Sequence, residues 1–284
     1  MTHPGSPFWV SSPALQSHLN RTATGHPGVD WLSYVRTLHL PAVLGRTLVI
    51  GCGNGDLERA LASKDGVGTI LAVDADPSAV ERARRQAERA GPAAISHAVF
   101  DPERDALPDG PWDAILASDV LHHVLALEDL FARVHAALAP GGRFVLVEYV
   151  GPNRFQYSEE RLALAQRYFR LLPERLRRDP ATGRTLWRRE RIDPVRLERE
   201  RPAEAARSEA ILPLARRAFV PEAEYSGGGG LLHPVLSGLV QNFGVGGSEE
   251  ERLLEVLCAA EAHLSASGLV EDAFRIFVGR KRMT

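Results

Sequence analysis

Three glycines on alternate positions mark the first stretch of the chain that could bind a ligand. Residues 47–58 read TLVIGCGNGDLE, in which a short aliphatic run leads into Gly51, Gly53 and Gly55. Apolar residues then recur at helical spacing from Leu57, so the glycines predict a strand-to-helix turn. Glycine adopts backbone angles closed to other residues and lets a ligand approach the main chain, and a helix start favours negative charge. The stretch therefore predicts a nucleotide or nucleoside site.

An acidic residue closes the second predicted strand, at residues 69–73. Asp74 lies about 20 residues beyond the glycine turn, a position from which a carboxylate accepts hydrogen bonds from ribose hydroxyls. Asp76 precedes a predicted helix over 78–90 and is expected to cap it. Because nicotinamide and sulfonium nucleosides carry the same ribose, Asp74 indicates a nucleoside without choosing between them.

The composition is that of an ordinary globular protein. The chain has 284 residues, 25% charged and 44% hydrophobic, with a formal net charge of −2, which gives no footprint for nucleic acid or an anionic membrane. No apolar run approaches the ~20 residues that span a bilayer, and the first residues lack the pattern of a signal peptide. Cys52 and Cys258 are too few for a disulfide framework and lack zinc spacing. We expect a cytoplasmic protein, a monomer or homodimer, that binds neither nucleic acid nor membranes.

The spacing of the glycines separates two kinds of nucleotide site. The dinucleotide fingerprint G-x-G-x-x-G would need a glycine at position 56, which is Asp56. The sequence G-C-G-N-G instead resembles the first motif of class I S-adenosylmethionine-dependent methyltransferases. Further motifs follow in order: PWDAILASDVLHH over 111–123 resembles the fourth motif of that family, and FARVHAALAPGGRFVLVEYV over 131–150 resembles its fifth-strand region.

This resemblance implies a fold and a cofactor. We expect a doubly wound, mostly parallel seven-stranded α/β sheet of the Rossmann-like methyltransferase type, with a helical cap inserted before the last strands. It also implies S-adenosylmethionine as the cofactor and S-adenosylhomocysteine as the product. The family often places an acid for adenine at the position of Asp101, and residues after strand four border the sulfonium. For Asp101, a turn role before Pro102 is an equal alternative. The expected cofactor-binding residues are Gly51, Cys52, Gly53, Asn54, Gly55, Asp74, Ala75, Asp101, Pro102, Ser118 and Asp119.

One position departs from the family pattern. An acid usually stands two residues before the first motif glycine and helps to anchor the methionine end of the cofactor, whereas this chain has Val49. Asn54, Asp56 or backbone groups would have to replace it, or affinity would be lower.

Methylation of a hydroxyl usually requires a base, and the candidates are few. Glu148 stands at the end of strand five, His122 follows strand four, and His233 follows the glycine run 227–230. Each has a structural alternative: Glu148 as a buried acid bonded to a loop, and the histidines as packing or capping residues. The adjacent pair His122 and His123 is not expected to bind a metal, because neighbouring helical residues point in different directions. The expected substrate-binding residues are Tyr149, Asn153, Arg154, Gln156 and Tyr225.

The sequence predicts four segments along the chain, of which the second is the cofactor-binding core. Residues 1–45 are an irregular leader with a helix over 30–40, which is a packed element or a lid, and 46–150 is the cofactor-binding core. Residues 151–218 form an arginine- and glutamate-rich helical cap, with a helix over 202–219 interrupted near Pro213, and 219–284 completes the core. The four glycines 227–230 are either a loose connector or a mobile active-site loop. Ser248 is expected to cap an acidic helix that follows.

The resemblance extends through EYVGPNRFQ, RSEAILPL, LLHP and DAFRIFVGRK to a group of bacterial small-molecule methyltransferases. The predicted function is methyl transfer to O, N or C of a small molecule, with a specialised metabolite or sugar intermediate as the expected acceptor. Two alternatives stay open: a non-catalytic scaffold that binds the cofactor, and a nicotinamide-dependent oxidoreductase.

Overall fold

The chain folds as two compact units. A computed structural model describes residues 12–91, 94–243 and 249–282. The unit we call the sheet unit contains Leu32–Val150, Ala206–Glu224 and the chain from Ile276. The unit we call the helical unit contains the chain up to Trp31, Gly151–Ala205 and Tyr225–Arg275. These boundaries differ from the predicted divisions, since 225–275 lies in the helical unit and 206–218 in the sheet unit.

A seven-stranded, mostly parallel sheet confirms the predicted fold class. Its strand order is β3-β2-β1-β4-β5-β7-β6. β1 pairs in parallel with both β2 and β4, and parallel pairing continues to β3 and β5. The direction of winding reverses at β1 and β4, and ligands bind α/β sheets at the carboxyl ends of strands at such a point. The strands are β1 Leu44–Ile50, β2 Val67–Asp74, β3 Ile95–Val99, β4 Trp112–Ser118, β5 Leu138–Tyr149, β6 Val220–Ser226 and β7 Phe274–Arg280.

Ten α-helices lie in the part of the chain that the structure describes. They are α1 Pro13–Thr24, α2 Trp31–Leu38, α3 Asp56–Ala62, α4 Pro77–Ala90, α5 Leu127–Ala137, α6 Glu159–Phe169, α7 Pro194–Glu200, α8 Ser208–Ala218, α9 Leu232–Leu236 and α10 Glu249–Ala266. Short 3₁₀ turns cover Leu121–His123, Asn153–Phe155, Glu174–Arg177 and Val240–Asn242. None of the helices within the described ranges is long and apolar enough to cross a bilayer.

The sheet unit is built on one continuous apolar core. Leu48 and Ile50 of β1 and Ile115 of β4 are fully buried in it, as parallel strands covered on both faces require. Helix α8 adds its apolar face, including Ile211, to the same core. That contact explains why α8, which begins at Ser208 and not at the predicted residue 202, belongs to this unit. Pro213 lies inside α8 without dividing it.

The Pro-Gly-Gly segment before strand five is part of β5. We expected a turn over 139–142 and a strand from 143, but β5 begins at Leu138. Pairing with β4 runs from Trp112 opposite Leu138 directly to Ala114 opposite Arg143, so the intervening residues bulge from the ladder. The predicted turn is therefore present as a bulge within the strand.

The helical unit has its own core, to which α1, α6, α9 and α10 contribute buried apolar side chains. Helix α1 corrects the prediction of an irregular leader. Its buried face combines Leu15 and Ala23 with His18 and Asn20, so half of that face is polar. A hydrophobic periodicity was therefore absent from the sequence. Residues 1–11 of the predicted leader, and Ser248 as the predicted cap, lie outside the described residues.

The four-glycine segment is packed, which corrects the expectation of a loose connector. Gly228 to Gly230 are buried, and Gly228 and Gly229 have positive φ angles of 69° and 78°. A Cβ at Gly229 would lie 2.6 Å from Phe274 Cδ2, and one at Gly230 would lie 2.5 Å from the Glu271 carbonyl oxygen. The glycines are therefore needed for close approach of the backbone to its neighbours.

Candidate active site

The glycine turn between β1 and α3 has the geometry that the sequence predicts. Gly51, Gly53 and Gly55 have positive φ angles of 81°, 53° and 82°. A Cβ at Gly51 would lie 2.6 Å from Val120 Cβ, and one at Gly55 would lie 3.0 Å from Ala83 Cβ. A Cβ at Gly53 would meet no atom within 4 Å. Two of the glycines therefore permit close packing, and the middle one borders open space that a ligand could use.

Asp74 at the end of β2 contacts the glycine turn directly. Its Oδ2 accepts a hydrogen bond from the Gly53 N–H at 2.9 Å, and its Oδ1 accepts from the Asp76 N–H at 2.9 Å. An ionised carboxylate has about four acceptor positions, so two further positions remain for ribose hydroxyls. Asp76 accepts a hydrogen bond from the Ser78 N–H at 2.8 Å and begins α4, as expected of a helix cap. Ala75, between the two acids, is exposed.

Two further residues of the turn have defined environments. Cys52 is buried, its N–H donates to the Val73 carbonyl at 2.9 Å, and burial raises the pKa of its thiol well above the usual range. Cys52 is therefore a neutral thiol at ordinary pH. Asn54 is exposed, and its side-chain oxygen accepts from Arg82 Nε at 3.3 Å. Val49, at the position where the family carries an acid, is fully buried in β1.

Asp101 follows β3 in a local turn. Its Oδ1 accepts from the Glu103 N–H at 2.9 Å, while its own N–H donates to Asp105 Oδ2 at 2.7 Å. The Pro102 carbonyl accepts a hydrogen bond from Arg133 Nη2 at 2.5 Å. This geometry supports the turn role for Asp101, and its expected contact with adenine remains a prediction.

The residues after β4 form a constrained turn beside the glycines. Asp119 has a positive φ of 51°, which costs a non-glycine residue about 1 kcal/mol. Its N–H donates to the Val147 carbonyl at 2.9 Å, and the Ser118 hydroxyl contacts Asp119 Oδ2 at 3.3 Å. The next residue, Val120, is the one that excludes a side chain at Gly51. The turn after β4 therefore packs on the turn after β1, and the expected position of Ser118 and Asp119 beside the sulfonium remains a prediction.

Glu148 organises this second turn from the end of β5. Its carboxylate is fully buried and contacts four donors, which fill its acceptor positions. Oε2 accepts from the N–H groups of Val120 at 2.9 Å and Leu121 at 2.6 Å. Oε1 accepts from the Tyr149 N–H at 2.8 Å and lies 2.5 Å from His122 Nδ1. The arrangement agrees with the structural alternative for Glu148, an acid bonded to a loop.

The surroundings of Glu148 keep it ionised. Burial by itself would raise the pKa of this carboxyl, but the charge and hydrogen bond of His122 outweigh that effect together with the N–H groups of Tyr149 and Leu121. The pKa of Glu148 is therefore lowered, and the group acts only as an acceptor. The rings of His122 and His123 are in contact, with centroids 4.0 Å apart and an interplanar angle of 48°.

The remaining predicted site residues are divided between the units. Tyr149 lies buried in the sheet unit, whereas Asn153, Arg154, Gln156, Tyr225 and His233 lie in the helical unit. The Gln156 amide donates to the carbonyls of Arg154 and Ile192 at 3.0 Å and 2.8 Å. The Arg154 N–H donates to the Ala205 carbonyl at 2.6 Å, and both residues have positive φ angles. The predicted roles of these residues in substrate binding remain predictions.

His233 has a partner that the sequence analysis missed. Its Nδ1 lies 2.7 Å from the Tyr157 hydroxyl, and its ring is 5.6 Å from those of Phe155 and Phe274. Tyr157 directly follows the predicted residue Gln156, but no local pattern indicated that it would be the partner of His233. Val120 was also missed, because nothing in the sequence shows which side chain faces a glycine.

The comparisons with known proteins agree with this geometry. Residues 48–144 match the model of a family described as "Methyltransferase domain". A ribosomal protein L11 methyltransferase from Ralstonia pickettii is 41% identical over 103 residues, which are 36% of this chain and 31% of that protein. The chain thus spans about a third of the length of this relative.

Solved structures share the fold at low sequence identity. Phosphoethanolamine N-methyltransferase 2 of Haemonchus contortus, in complex with S-adenosyl-L-methionine, has a TM-score of 0.53 at 16% identity, covering 89% of this chain and 52% of that one. The [4+2]-cyclase SpnF has a TM-score of 0.52 at 15% identity, covering 96% and 92%. The family match shows that residues 48–144 carry a methyltransferase domain, and the solved structures show that the chain shares their fold.

Proposed function

We propose that the protein transfers a methyl group from S-adenosylmethionine to a small-molecule acceptor. The observation that carries the proposal is the contact between Asp74 Oδ2 and the Gly53 N–H. It joins the acid after β2 to the one turn glycine that borders open space, and leaves acceptor positions for a ribose. When bound, the cofactor would supply an electrophilic methyl carbon.

Different residues of the sheet unit are proposed to bind different parts of the cofactor. Gly51 and Gly55 bring neighbouring elements close, and Gly53 leaves room for the nucleoside. Asp74 would bind the ribose, Asp101 the adenine, and Ser118 and Asp119 would lie by the sulfonium. Since Val49 cannot anchor the methionine end, we assign that role to Asn54 and backbone groups of the turn. Holding the acceptor in a near-attack geometry can supply much of the rate enhancement in such a transfer.

The acceptor is proposed to be a small molecule. The relatives named for ribosomal protein L11 suggest a protein acceptor instead. Their similarity extends over only 36% of this chain, so it leaves most of the chain without a counterpart. The fold is likewise compatible with chemistry other than methyl transfer, as the cyclase shows.

Calorimetric titration with S-adenosylmethionine, S-adenosylhomocysteine and NAD tests the cofactor. We expect both sulfur nucleosides to bind and NAD not to bind. Binding of NAD alone would support an oxidoreductase and contradict the proposal. Binding of the sulfur nucleosides without any methyl transfer would favour the scaffold.

The acceptor class is tested with S-adenosylmethionine that carries a labelled methyl group. The full chain is incubated with a metabolite fraction and, separately, with a protein fraction of cell extract, and the labelled products are separated by mass. We expect label in the metabolite fraction. Label confined to protein would overturn the small-molecule acceptor while preserving the methyltransferase activity.

A further inference from the structure

Residues 161–191 of the helical unit are strongly basic, although the whole chain carries a formal net charge of −2. The segment contains ten arginines and only three acids, Glu174, Asp179 and Glu190. The acids bind a threonine hydroxyl, a backbone N–H and the exposed Arg188, respectively. The positive charge of the segment is therefore not neutralised by its own carboxylates.

Two arginines of this segment lie against one buried ring. The Cζ atoms of Arg177 and Arg189 are 5.8 Å and 5.7 Å from the ring centroid of Phe169, which is fully buried. The Arg177 guanidinium also lies 5.2 Å from the exposed ring of Trp187. An aromatic face attracts a guanidinium without taking up its hydrogen-bond donors. The rings therefore hold both charges close to Phe169 while their N–H groups can bind another partner.

Most N–H groups of these two arginines have no acceptor. In the described part of the chain the Arg177 guanidinium makes no hydrogen bond, and its Nε is buried. Arg189 donates from Nε to the Pro234 carbonyl at 2.9 Å and from Nη2 to the Ser237 carbonyl at 3.0 Å. Because a guanidinium has five N–H donors, three donors of Arg189 remain, including both on Nη1.

No carboxylate compensates the charge of Arg189. Neither Arg189 nor Arg177 forms an ion pair within the described ranges. Burial lowers the pKa of the Arg189 guanidinium, and no neighbouring acid opposes that effect. Gln166 Oε1 accepts from the Arg189 N–H at 2.7 Å, while Gln166 Nε2 is buried and has no partner among the described residues. Since a buried charge is costly unless an opposite charge or hydrogen bonds compensate it, this set of donors favours an anionic partner.

We propose that Arg177 and Arg189 form a binding site for an oxyanion, the phosphate or carboxylate group of a small molecule. The planar fork of a guanidinium matches both groups, because each presents two oxygens to two parallel N–H donors. The oxyanion accepts from the Nη groups of the two arginines, and the rings of Phe169 and Trp187 hold these side chains in place. The site lies within the helical unit and binds its anion whether or not methyl transfer takes place.

The test is an NMR titration of the full chain, labelled with ¹⁵N-arginine, with sodium phosphate and separately with sodium acetate, at an ionic strength kept constant with chloride. Arg177→Gln and Arg189→Gln identify the Nε–H signals of the two residues by their loss. We expect both signals to shift and saturate with at least one of the anions. Tighter binding of phosphate would assign a phosphate group to the site, and tighter binding of acetate a carboxylate. No saturable shift with either anion would overturn the proposal.

The affinities of the variants provide the second measurement. Arg177→Gln and Arg189→Gln should each raise the Kd of the anion by roughly tenfold or more, because each removes charge-assisted hydrogen bonds. Arg177→Gln removes no hydrogen bond of the described chain, so it tests the site even if Arg189→Gln fails to fold. The matched control, Arg184→Gln, removes the same charge from an exposed position of the segment and should leave the Kd nearly unchanged. An equal loss of affinity in Arg184→Gln would indicate unspecific attraction to a basic surface and would overturn the proposal.

Discussion

Each unit of the molecule contains a buried glutamate that binds three backbone N–H groups and a histidine. In the sheet unit this is Glu148. In the helical unit it is Glu261, whose oxygens accept from the N–H groups of Gly229 at 3.0 Å, Leu231 at 2.7 Å and Leu232 at 2.8 Å. His18 Nε2 lies 3.0 Å from Glu261 Oε1. A buried carboxylate with the same set of partners, three backbone N–H groups and a histidine, thus holds the turn after β4 in one unit and the glycine segment before α9 in the other.

The two sites differ in where the histidine comes from. His122 belongs to the turn that Glu148 holds, so the carboxylate fixes backbone and ring together. His18 comes from α1, 243 residues before Glu261, so that pair joins the two ends of the helical unit's chain. The comparison indicates that the first carboxylate holds a local turn, whereas the second also connects segments that are distant in sequence.

A third buried glutamate shows what the backbone donors contribute. Glu58 on α3 is fully buried and contacts His97 at 2.9 Å, but its Oε2 has no hydrogen-bond partner in the described part of the chain. Burial raises the pKa of Glu58, against the opposing effect of its hydrogen bonds and of His97. The pKa of Glu261 is lowered although it is equally buried, because His18 and the N–H groups of Leu232 and Leu231 outweigh burial. The hydrogen-bond donors around a buried carboxylate thus decide whether its pKa is raised or lowered on folding.

The largest effect is expected from Glu261→Ala. It leaves the N–H groups of the glycine segment and His18 without an acceptor, which should lower the free energy of unfolding by about 3–5 kcal/mol. Denaturant unfolding measures this, with exposed Glu255→Ala on the same helix as the control. A loss below about 1 kcal/mol would show that the segment does not depend on this carboxylate.

The second largest effect is expected in the pH dependence of the free energy of unfolding, on the acidic side. Because the pKa of Glu261 is lowered from 4.5 on folding, its contribution to stability is complete above about pH 4.5 and is lost as pH falls through the folded-state value. Glu261→Gln should remove this part of the acid sensitivity. Unfolding measured between pH 7 and pH 3 should therefore show converging stabilities of wild type and variant toward low pH. Parallel curves would contradict the assignment.

The smallest effect is expected from Glu58→Gln. The pH dependence of its stability should have the opposite sign to that of Glu261→Gln. Because its pKa is raised on folding, its contribution to stability falls as pH rises from about 4.5 through the folded-state value. Glu58→Gln should thus be relatively more stable at pH 8 than at pH 5, compared with wild type, and should differ from it by about 1 kcal/mol or less. A variant that loses several kcal/mol at pH 8 would show that Glu58 resembles Glu261 after all.

Sequence reasoning succeeded where the signal was local. The glycine turn and the alternation of strands and helices depend on residues within a few positions of one another, and the parallel α/β sheet followed from them. The number of seven strands was implied by the family resemblance. Sequence reasoning failed where the hydrogen-bond partner of a residue lies far away in the sequence. Nothing near Glu261 indicates His18, and a run of glycines has no side chains to show that its N–H groups are bonded. Helix α1 was missed because its buried face carries His18 and Asn20 among the apolar residues.

The central claim is that the glycine turn and Asp74 bind S-adenosylmethionine, and calorimetry on Asp74→Ala tests it most directly. Loss of hydrogen bonds to this carboxylate should weaken S-adenosylmethionine binding by at least about 1–2 kcal/mol, or roughly 5–30-fold in Kd. The control, Asp76→Ala, removes the cap of α4 and should lower stability by about 1 kcal/mol with little change in Kd. Unchanged affinity in a folded Asp74→Ala protein would remove Asp74 from the site and contradict the account.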